Sequence, residues 1–574
     1  MKRRKISILC CVALLIATTL WMAEQAPATA QTLAYGQIQG TVTDQSGGVI
    51  PGASVTVRNQ GTGAERDLVS DDSGNYRAVN LQPGAYDVIV GQQGFATLRT
   101  EGIEVQVGAT VRLDAVLTVA ATEQTITVTA VTPIVEPEKT GYTATVSEVS
   151  IENLPINGRR WENFVLLTPT TQPDGDFGLV SYRGISGLYN NNSVDGADNN
   201  QGFFSEARGR TRVSYTLSQS AIKEFQVGLS NYSAEYGRAV GGTVNAVTKS
   251  GNNAFHGQAF YFLRDDSMNA REPFNNAQGF DQLKDRRQQF GFNLGGPIKE
   301  DKLFYFLNYD HQLRNFPGIA IDGRQLRDSA GTLFTQSGFN LSEICDFGTV
   351  GQARCQGARD QLLSRLGPFS RKGLNNVALG KLDWIINDKH NFGAQYNWHK
   401  WRSPSGIQTQ DRTNDTPLAN GFDGVRTDFF LAHWTYIASP STLNEFRFQL
   451  GRDFEFQRAN TNGPQILHNS QLDIDDGQRN FLPREKFPEE YRLQFVDNLT
   501  WIRGNHMLKF GVDINHLNDE MINLFTGGGS FDFRSFEAFA MDVPLAGIPI
   551  FDDGARTGKH YRDFRQAFDL VTGG

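Results

Sequence analysis

From residue 254 onward the chain consists of long segments in which apolar and polar side chains alternate. In one of them, Phe392, Ala394, Tyr396 and Trp398 alternate with glycine, glutamine, asparagine and histidine. This two-residue period predicts strands with one apolar face. Strands are predicted near residues 254–266, 286–298, 302–314, 375–387, 390–401, 427–438, 442–456, 491–503 and 506–519. A soluble β-sandwich has the same period, so alternation alone leaves the architecture open.

The connections between these segments decide between the two architectures. Tight links at 298–302, 387–390, 439–442 and 504–505 alternate with long polar connections at 267–285, 315–374, 402–426 and 457–490. Short turns on one side and long loops on the other are typical of an outer-membrane β-barrel. Segments of about ten residues also suit tilted membrane strands. The pattern therefore predicts an antiparallel transmembrane β-barrel.

Residues 1–30 are predicted to be a signal peptide. Lys2 to Lys5 form a positive region, Ile6 to Leu20 an apolar region, and Ala28 to Ala30 a small-residue cleavage site. A retained membrane anchor is the alternative, which the shortness of the apolar run disfavours. The formal net charge of −8 is acidic, whereas nucleic-acid binding needs a concentrated basic face. Export is predicted, and nucleic acid is not predicted as a partner.

Residues 31–119 read as a small β-sandwich. Alternating segments beginning at Ile38, Ala53 and Tyr86 are separated by turn signals such as Asp72-Ser-Gly-Asn and Pro83-Gly84. The order of these motifs resembles the carboxypeptidase regulatory-like family, which has a transthyretin-like, carbohydrate-binding-like fold. None of the 9 histidines opens a His-Glu-x-x-His or His-x-x-Glu pair, so zinc peptidase chemistry has no ligands. No catalytic residues are predicted, and the chain is not expected to be an enzyme.

Residues 138–250 contain two alternating strands, near 222–227 and 243–248, with Tyr236-Gly237 and Gly241-Gly242 between them. This order resembles the closing part of the plug domain of TonB-dependent outer-membrane receptors. The sequence departs from the family pattern at Thr243 and Ala246, and no Gly-Pro follows the first strand. One short helix is predicted to begin near residues 157–160, and tight turns are predicted after Tyr182 and Val194.

Several polar residues of this predicted plug are candidates for loops that face a ligand. They are Arg183, Asn190, Asn191, Asn192 and Asp198. The alternative is that they serve only in turns, where asparagine and aspartate are common.

Residues 120–137 form a predicted linker between the sandwich and the plug. It contains a polar and apolar alternation without proline, made of Thr125, Ile126, Thr127, Val128, Thr129 and Ala130. Strand addition to a partner needs free backbone groups, alternating side chains and no proline. By resemblance to the receptor family, this stretch is a TonB box, the segment that pairs with TonB. The alternative is a terminal strand of the sandwich followed by a plain linker.

Two cysteines lie beyond the signal peptide, Cys345 and Cys355. In an oxidising compartment they can form a disulfide, or both can remain thiols. Two thiolates alone are too few for a metal site, and no metal or cofactor is predicted. Asp473 to Gly477 resembles the start of a calcium loop, but Arg484 occupies the position where an EF-hand needs glutamate.

The resemblance implies a receptor that takes up an oligosaccharide, peptide or siderophore across the Gram-negative outer membrane, energised by TonB. Its partners would be the TonB complex through a periplasmic box, outer-membrane lipid and an extracellular substrate. The first alternative is a structural or adhesive outer-membrane protein on the same scaffold. The second is an exported carbohydrate-binding protein or hydrolase.

The expected fold is mostly β, with a transthyretin-like sandwich, an α+β plug and a partial barrel over residues 251–574. A lumen that holds a plug requires on the order of 22 strands, many more than the segments predicted above. Gly574 also differs from the aromatic residue that commonly ends such barrels. We therefore expect a C-terminally truncated barrel, an open curved sheet that wraps part of the plug and whose last strand is unpaired on one side.

Overall fold

The computed structural model describes residues 35–119, 125–129, 141–533 and 561–565, apart from internal gaps. The gaps are 157–158, 175–178, 210–214, 272, 274–275, 277–281, 322–324, 328–332, 336–351, 407–411, 468–472, 505 and 524–528. The predicted signal peptide, Ala130 and Cys345 lie outside the described residues.

The strands of the first 250 residues are numbered β1 to β16. Strands β1 to β9 are Gly36–Asp44, Ser54–Asn59, Glu65–Val69, Asn75–Leu81, Gly84–Gly91, Thr97–Val105, Thr110–Arg112, Ala115–Leu117 and Thr125–Thr129. Strands β10 to β16 are Tyr142–Val146, Thr171–Asp174, Leu179–Tyr182, Asn191–Val194, Ala197–Asp198, Ile222–Ser230 and Thr243–Thr248. Helix α1 is Glu148–Asn153, and 3-10 helices are Trp161–Leu167, Gly187–Tyr189 and Gln219–Ala221.

The remaining strands are numbered β17 to β34. Strands β17 to β25 are His256–Arg264, Arg286–Lys299, Leu303–Asn315, Gly318–Ala320, Gln325–Arg327, Leu333–Thr335, Gly367–Phe369, Lys372–Asn387 and His390–Ser403. Strands β26 to β34 are Arg412–Thr413, Gly421–Ser439, Thr442–Ala459, Gln465–Leu467, Asp475–Asp476, Lys486–Arg503, His506–Ile522, Ser530–Phe533 and Tyr561–Arg565. Helix α2 is Gln352–Leu363, and a further 3-10 helix is Asp266–Met268.

Strands β1 to β9 form the predicted sandwich. One sheet has the order β4-β1-β7 with β8 also paired to β1, and the other has the order β3-β2-β5-β6-β9. The inward residues of both sheets, among them Ile38, Val55 and Val88, share one buried core. Strand β9 is the departure from expectation, because the predicted box pairs in parallel with β6 rather than lying in a free linker.

The described residues from 141 to 250, here called the inner domain, have a five-stranded sheet of order β10-β15-β16-β13-β14. Strands β15 and β16 are buried on both faces and run antiparallel, as expected. The short helix predicted to begin near residues 157–160 is the 3-10 helix Trp161–Leu167, and α1 is an additional helix that was not predicted. Ser147 begins α1 by accepting a hydrogen bond from the Ser150 amide, a short cap signal within an otherwise strand-like sequence.

The predicted barrel strands form a nine-stranded antiparallel sheet of order β17-β18-β19-β24-β25-β27-β28-β31-β32. Alternation along β25 separates its two faces: Gln395 and His399 are 4% and 0% exposed, whereas Phe392 and Tyr396 are 38% and 46% exposed. The polar face contacts the inner domain, as when Gln395 donates to Asp195. Strands β17 and β32 are the ends of the sheet and do not pair with each other. The expected open sheet is therefore confirmed.

The sandwich lies at the end of this sheet where the tight turns are. The Asn253 amide donates to the Gly61 carbonyl at 2.9 Å, just before β17 begins. Asn80 of the sandwich donates to Glu445 near the start of β28 at 3.3 Å. We call this end the tight-turn end and the opposite one the long-loop end. In the part of the chain that the structure describes, no helix is long and apolar enough to cross a bilayer.

Candidate functional site

Strand β9 is the last strand of its sheet and contains the first five residues of the predicted TonB box. Its register with β6 runs from Thr97 opposite Thr125 to Glu101 opposite Thr129. Ile126 and Val128 are 41% and 48% exposed. Among the described strands, β9 has β6 as its one neighbour. Within the described residues, one edge of the box is therefore hydrogen-bonded to the sandwich, and its other edge has no neighbouring strand.

A buried ionic cluster joins the inner domain to the wall formed by the sheet. Arg492 on β31 is fully buried, and its Nη1 lies 2.6 Å from Oδ2 of Asp198 on β14. The angle of this contact falls outside hydrogen-bond geometry, so it is an ion pair. Asn515 on β32 donates to the same carboxylate oxygen at 2.9 Å, and Arg238 of the inner domain also pairs with it.

The remaining contacts of Arg492 hold its guanidinium in place. Nε and Nη2 donate to Glu490 Oε1 at 3.1 and 2.9 Å, and Nη2 also donates to the Asn200 carbonyl at 2.5 Å. Glu490 in turn accepts from the Gly202 amide. Because the charges are buried and mutually compensated, separating the inner domain from the wall here leaves uncompensated charge on both sides.

A second polar contact lies further around the wall, at Asp310 on β19. Its Oδ1 accepts from the Tyr215 hydroxyl at 2.7 Å, and its Oδ2 accepts from the Ser218 hydroxyl at 2.6 Å. Gln289 on β18 donates to both oxygens, at 3.0 and 3.1 Å. Polar contacts of this kind can be exchanged for water, so they permit the inner domain to move more readily than an apolar core would.

The sandwich is attached to the inner domain at β15. The Val107 amide donates to Glu224 Oε1 at 2.6 Å, and Lys223 Nζ donates to the Pro83 carbonyl at 2.7 Å. Glu224 is buried, and burial raises the pKa of its carboxyl to about 7, opposed by the hydrogen bond from Val107. This interface therefore contains a titratable group.

Comparison with known proteins identifies two parts of the chain. A carboxypeptidase regulatory-like domain matches residues 37–118, and an outer membrane beta barrel domain matches residues 247–320 and 366–566. Over 403 residues the chain is 25% identical to the TonB-dependent transporter Oar of Myxococcus xanthus. The chain therefore contains an outer membrane beta barrel domain and is similar to a TonB-dependent transporter. The match covers 68% of this chain and 35% of that transporter, so the chain spans about a third of its length.

Solved structures of outer-membrane transporters and receptors also resemble this chain. The outer membrane transporter YddB from Escherichia coli aligns at a TM-score of 0.47 and 13% identity, over 68% of this chain and 50% of its own. The siderophore receptor PirA from Acinetobacter baumannii aligns at 0.45 and 17% identity, over 67% of this chain and 49% of its own.

The residues predicted to face a ligand occupy different positions in the structure. Asn190 is buried, donates to the Val180 carbonyl and accepts from the Gly242 amide. Asn191 and Asn192 exchange hydrogen bonds with Asn200, and Asp198 belongs to the ionic cluster. Arg183 is exposed, at a positive φ of 53°, and donates to the Gly241 carbonyl at 3.2 Å. Their role toward a ligand stays a prediction.

Arg492 and Glu490 were not predicted as functional residues, although the sequence contains a signal for them. Both stand in the inward phase of β31, alternating with Tyr491 and Leu493. Charges in the lumen-facing phase of a membrane strand mark contacts with the contents of the lumen. Cys355 on α2 is buried and disulfide-bonded. No group of three or more His, Cys, Asp or Glu side chains is arranged to hold a metal ion among the described residues.

Proposed function

We propose that this chain takes part in the uptake of a substrate across the outer membrane with energy supplied by TonB. The observation that carries the proposal is β9, a box-like strand at the open edge of the sandwich, immediately ahead of the inner domain. In this account the inner domain is the plug, residues 138–250, and residues 120–137 are the linker with the TonB box. The sandwich and the box are periplasmic.

TonB engages the box by strand addition. Backbone hydrogen bonds supply most of the affinity in this mode of recognition, and alternate side chains supply specificity. Since β6 occupies one edge of β9, TonB either adds to the open edge or displaces β6. Displacement frees the linker to transmit force, whereas simple addition leaves the box attached to the sandwich. We therefore favour displacement.

The linker directs a pulling force to the edge of the plug. After residue 140 the chain enters β10, an edge strand that pairs only with β15 in the described sheet. The next element, α1, is held by Lys249 Nζ, which lies 2.7 Å from Glu148 and 2.8 Å from Glu152. An edge strand can detach from its sheet one residue pair at a time. We therefore expect β10, with α1 after it, to unfold first when the linker is pulled.

The substrate class follows from the family alone. Oligosaccharide, peptide and siderophore uptake are all compatible with this scaffold. The alternative is a structural or adhesive outer-membrane role. The pairing of the box with β6 favours this alternative if the box stays bound to the sandwich, because TonB then cannot pull on the linker. An exported carbohydrate-binding protein or hydrolase ranks last, since the chain contains an outer membrane beta barrel domain and resembles a TonB-dependent transporter.

A pull-down of the detergent-extracted chain with the purified periplasmic domain of the cognate TonB tests the proposal. Val128→Pro removes one backbone donor from the pairing stretch and should abolish capture. Thr127→Ser keeps the backbone intact and is the matched control, which should be captured like the unmodified chain. Equal capture of the proline variant and the control would contradict TonB engagement through the box. The structural or adhesive role would then be favoured.

A further inference from the structure

A cavity of about 410 Å³ lies at the tight-turn end, where the sandwich, the inner domain and the wall meet. Its lining includes Tyr86 of the sandwich, Ser250 at the end of the inner domain and Phe304 of β19 in the wall. Tight turns mark the periplasmic side of an outer-membrane barrel. The cavity is therefore at the end of the lumen from which a substrate enters the periplasm.

Asp383 on β24 contributes an unpaired carboxylate to the lining of this cavity. Its side chain is 8% exposed, and neither carboxylate oxygen has a hydrogen-bond partner among the described residues. Lys381, on the same face of β24, instead donates to Thr248 Oγ1 of the inner domain at 3.1 Å. A charge that is buried without a partner is costly, so Asp383 favours the binding of a cationic ligand in the cavity.

Two further acceptors without a donor line the same cavity. They are the Oδ1 atoms of Asn391 on β25 and of Asn80 in the sandwich. Asp383 pairs with Gly393, and Asn391 is two residues before Gly393 on β25. Asn391 is therefore a diagonal neighbour of Asp383 on the same face of the sheet. Because the buried unpaired atoms of the described lining are all oxygen acceptors, a ligand that fits them carries several donors.

Two flat rings lie beside the carboxylate. Phe304 is the cross-strand partner of Asp383 on one side, and Gly393 is its partner on the other. His433 is the next residue in this row, and a Cβ at Gly393 would lie 2.1 Å from Cε1 of its ring. The glycine thus allows the His433 ring to lie over β25, and the Phe304 and His433 side chains both line the cavity. Flat rings suit a planar cation, which can stack on them.

The charge and size of the cavity favour an organic cation over a metal ion. Its charged lining residues are Glu65, Asp301, Asp383, Asp388, Arg66 and Lys302. The Arg66 guanidinium donates to the Val79 carbonyl, so the lining has an excess of negative charge. Among the described residues, no three His, Cys, Asp or Glu side chains are arranged around a metal position. The volume of about 410 Å³ is instead within the usual range of about 300–1,000 Å³ for sites that bind small organic molecules.

We propose that this cavity binds the guanidinium group of an arginine side chain in the transported substrate, so that the substrate class is a peptide. The two oxygens of Asp383 accept a pair of parallel N–H bonds, the geometry that an arginine fork provides. Asn391 and Asn80 accept from the remaining donors, and the Phe304 and His433 rings contact the guanidinium plane. The proposal rests on the proposed uptake function and narrows its substrate class.

The test measures binding of the tripeptide Gly-Arg-Gly to the detergent-solubilised full chain by equilibrium dialysis. The matched ligand is Gly-citrulline-Gly, which has nearly the same shape but no positive charge. The variant Asp383→Asn keeps the size of the side chain and removes its charge. The control Glu300→Gln removes a charge from an exposed position in the tight turn after β18, outside the cavity lining. Near-ultraviolet circular dichroism establishes that both variants are folded.

We expect the Asp383 variant to bind Gly-Arg-Gly at least about tenfold more weakly than the unmodified chain, because a charge-assisted pair is lost. The Glu300 variant should bind it normally. The unmodified chain should bind Gly-citrulline-Gly at least about tenfold more weakly than Gly-Arg-Gly, and calcium chloride at equal ionic strength to sodium chloride should not displace the arginine peptide.

Three results would overturn the proposal: no binding of Gly-Arg-Gly, equal affinity for the two peptides, or equal binding by the two variants. Displacement by calcium would also overturn it and would assign the cavity to a metal ion. The dialysis contains no TonB, so its outcome is independent of the TonB pull-down. A chain that binds the arginine peptide through Asp383 but is not captured by TonB would contradict energised uptake alone.

Discussion

Arg492 of the wall and Asp198 of the inner domain form an ion pair at 2.6 Å, and both side chains are buried. The pair joins parts of the chain that lie on opposite sides of the boundary between the sheet and the plug. Separating the two side chains would leave buried charge uncompensated, so the pair holds the inner domain against the wall.

Replacing Arg492 with methionine should loosen the plug. The change leaves Asp198 with Arg238 and Asn515, so we expect a loss of roughly 3 kcal/mol, the lower end for breaking a buried ion pair. Hydrogen exchange of residues 191–208 in the detergent-solubilised chain measures the effect. Arg503→Met, an exposed change near the other end of β31, is the control. Unchanged exchange in the Arg492 variant would show that the pair does not hold the plug.

The glycines that resemble the plug motif should differ in their tolerance of alanine. A Cβ at Gly242 would lie 2.8 Å from the Tyr182 ring and 3.0 Å from the Gly228 carbonyl oxygen, whereas a Cβ at Gly237 meets nothing within 4 Å. Gly242→Ala should therefore destabilise the plug by roughly 1–3 kcal/mol, and Gly237→Ala should be close to neutral. Pulse proteolysis across a urea series compares them, and equal midpoints would refute the close-packing account.

Attachment of the sandwich to the plug should weaken as pH rises. The folded-state pKa of Glu224 is raised from 4.5 to about 7, so the carboxyl is more stable protonated when buried. Relative to a solvated carboxyl, the buried Glu224 is most favourable below about pH 4.5 and loses up to about 3 kcal/mol as pH rises through 7, and the part of its burial that the sandwich supplies weakens the contact. Exchange protection of the Val107 amide at pH 5 and 8, corrected for intrinsic rates, measures this. Glu224→Gln should abolish the pH dependence, and a persisting dependence would assign it to another group.

A disulfide between β6 and β9 should block TonB engagement. Thr97 and Thr125 are paired in register, and cysteines at both positions prevent the box from leaving the sandwich. We expect the oxidised double variant to lose TonB capture and to regain it after reduction. Each single cysteine variant is a control. Undiminished capture of the oxidised form would mean that TonB adds to the open edge of β9 without displacing β6.

The nine strands of the sheet could be predicted from the sequence because outward residues face lipid and are apolar, whereas the alternate residues face the inner domain and are polar. It placed the starts of β27 and β31 too late, since Gly421–Arg426 and Lys486–Glu490 lie beyond the apolar belt and do not alternate in hydropathy. The pairing of β9 with β6 was not predictable, because parallel pairing carries no local turn signal. Asp198 was predicted as a ligand contact, but its partner Arg492 lies almost 300 residues away in sequence.

Cross-linking in intact cells can test whether the box strand engages TonB during transport. Thr127→Cys places a thiol on β9, and Val69→Cys places one on β3, the opposite edge of the same sheet, where Val69 is 61% exposed. With TonB carrying a cysteine in its pairing strand, we predict a disulfide-linked complex with the Thr127 variant and none with the Val69 variant. Equal cross-linking at both edges, or none at Thr127, would contradict the account.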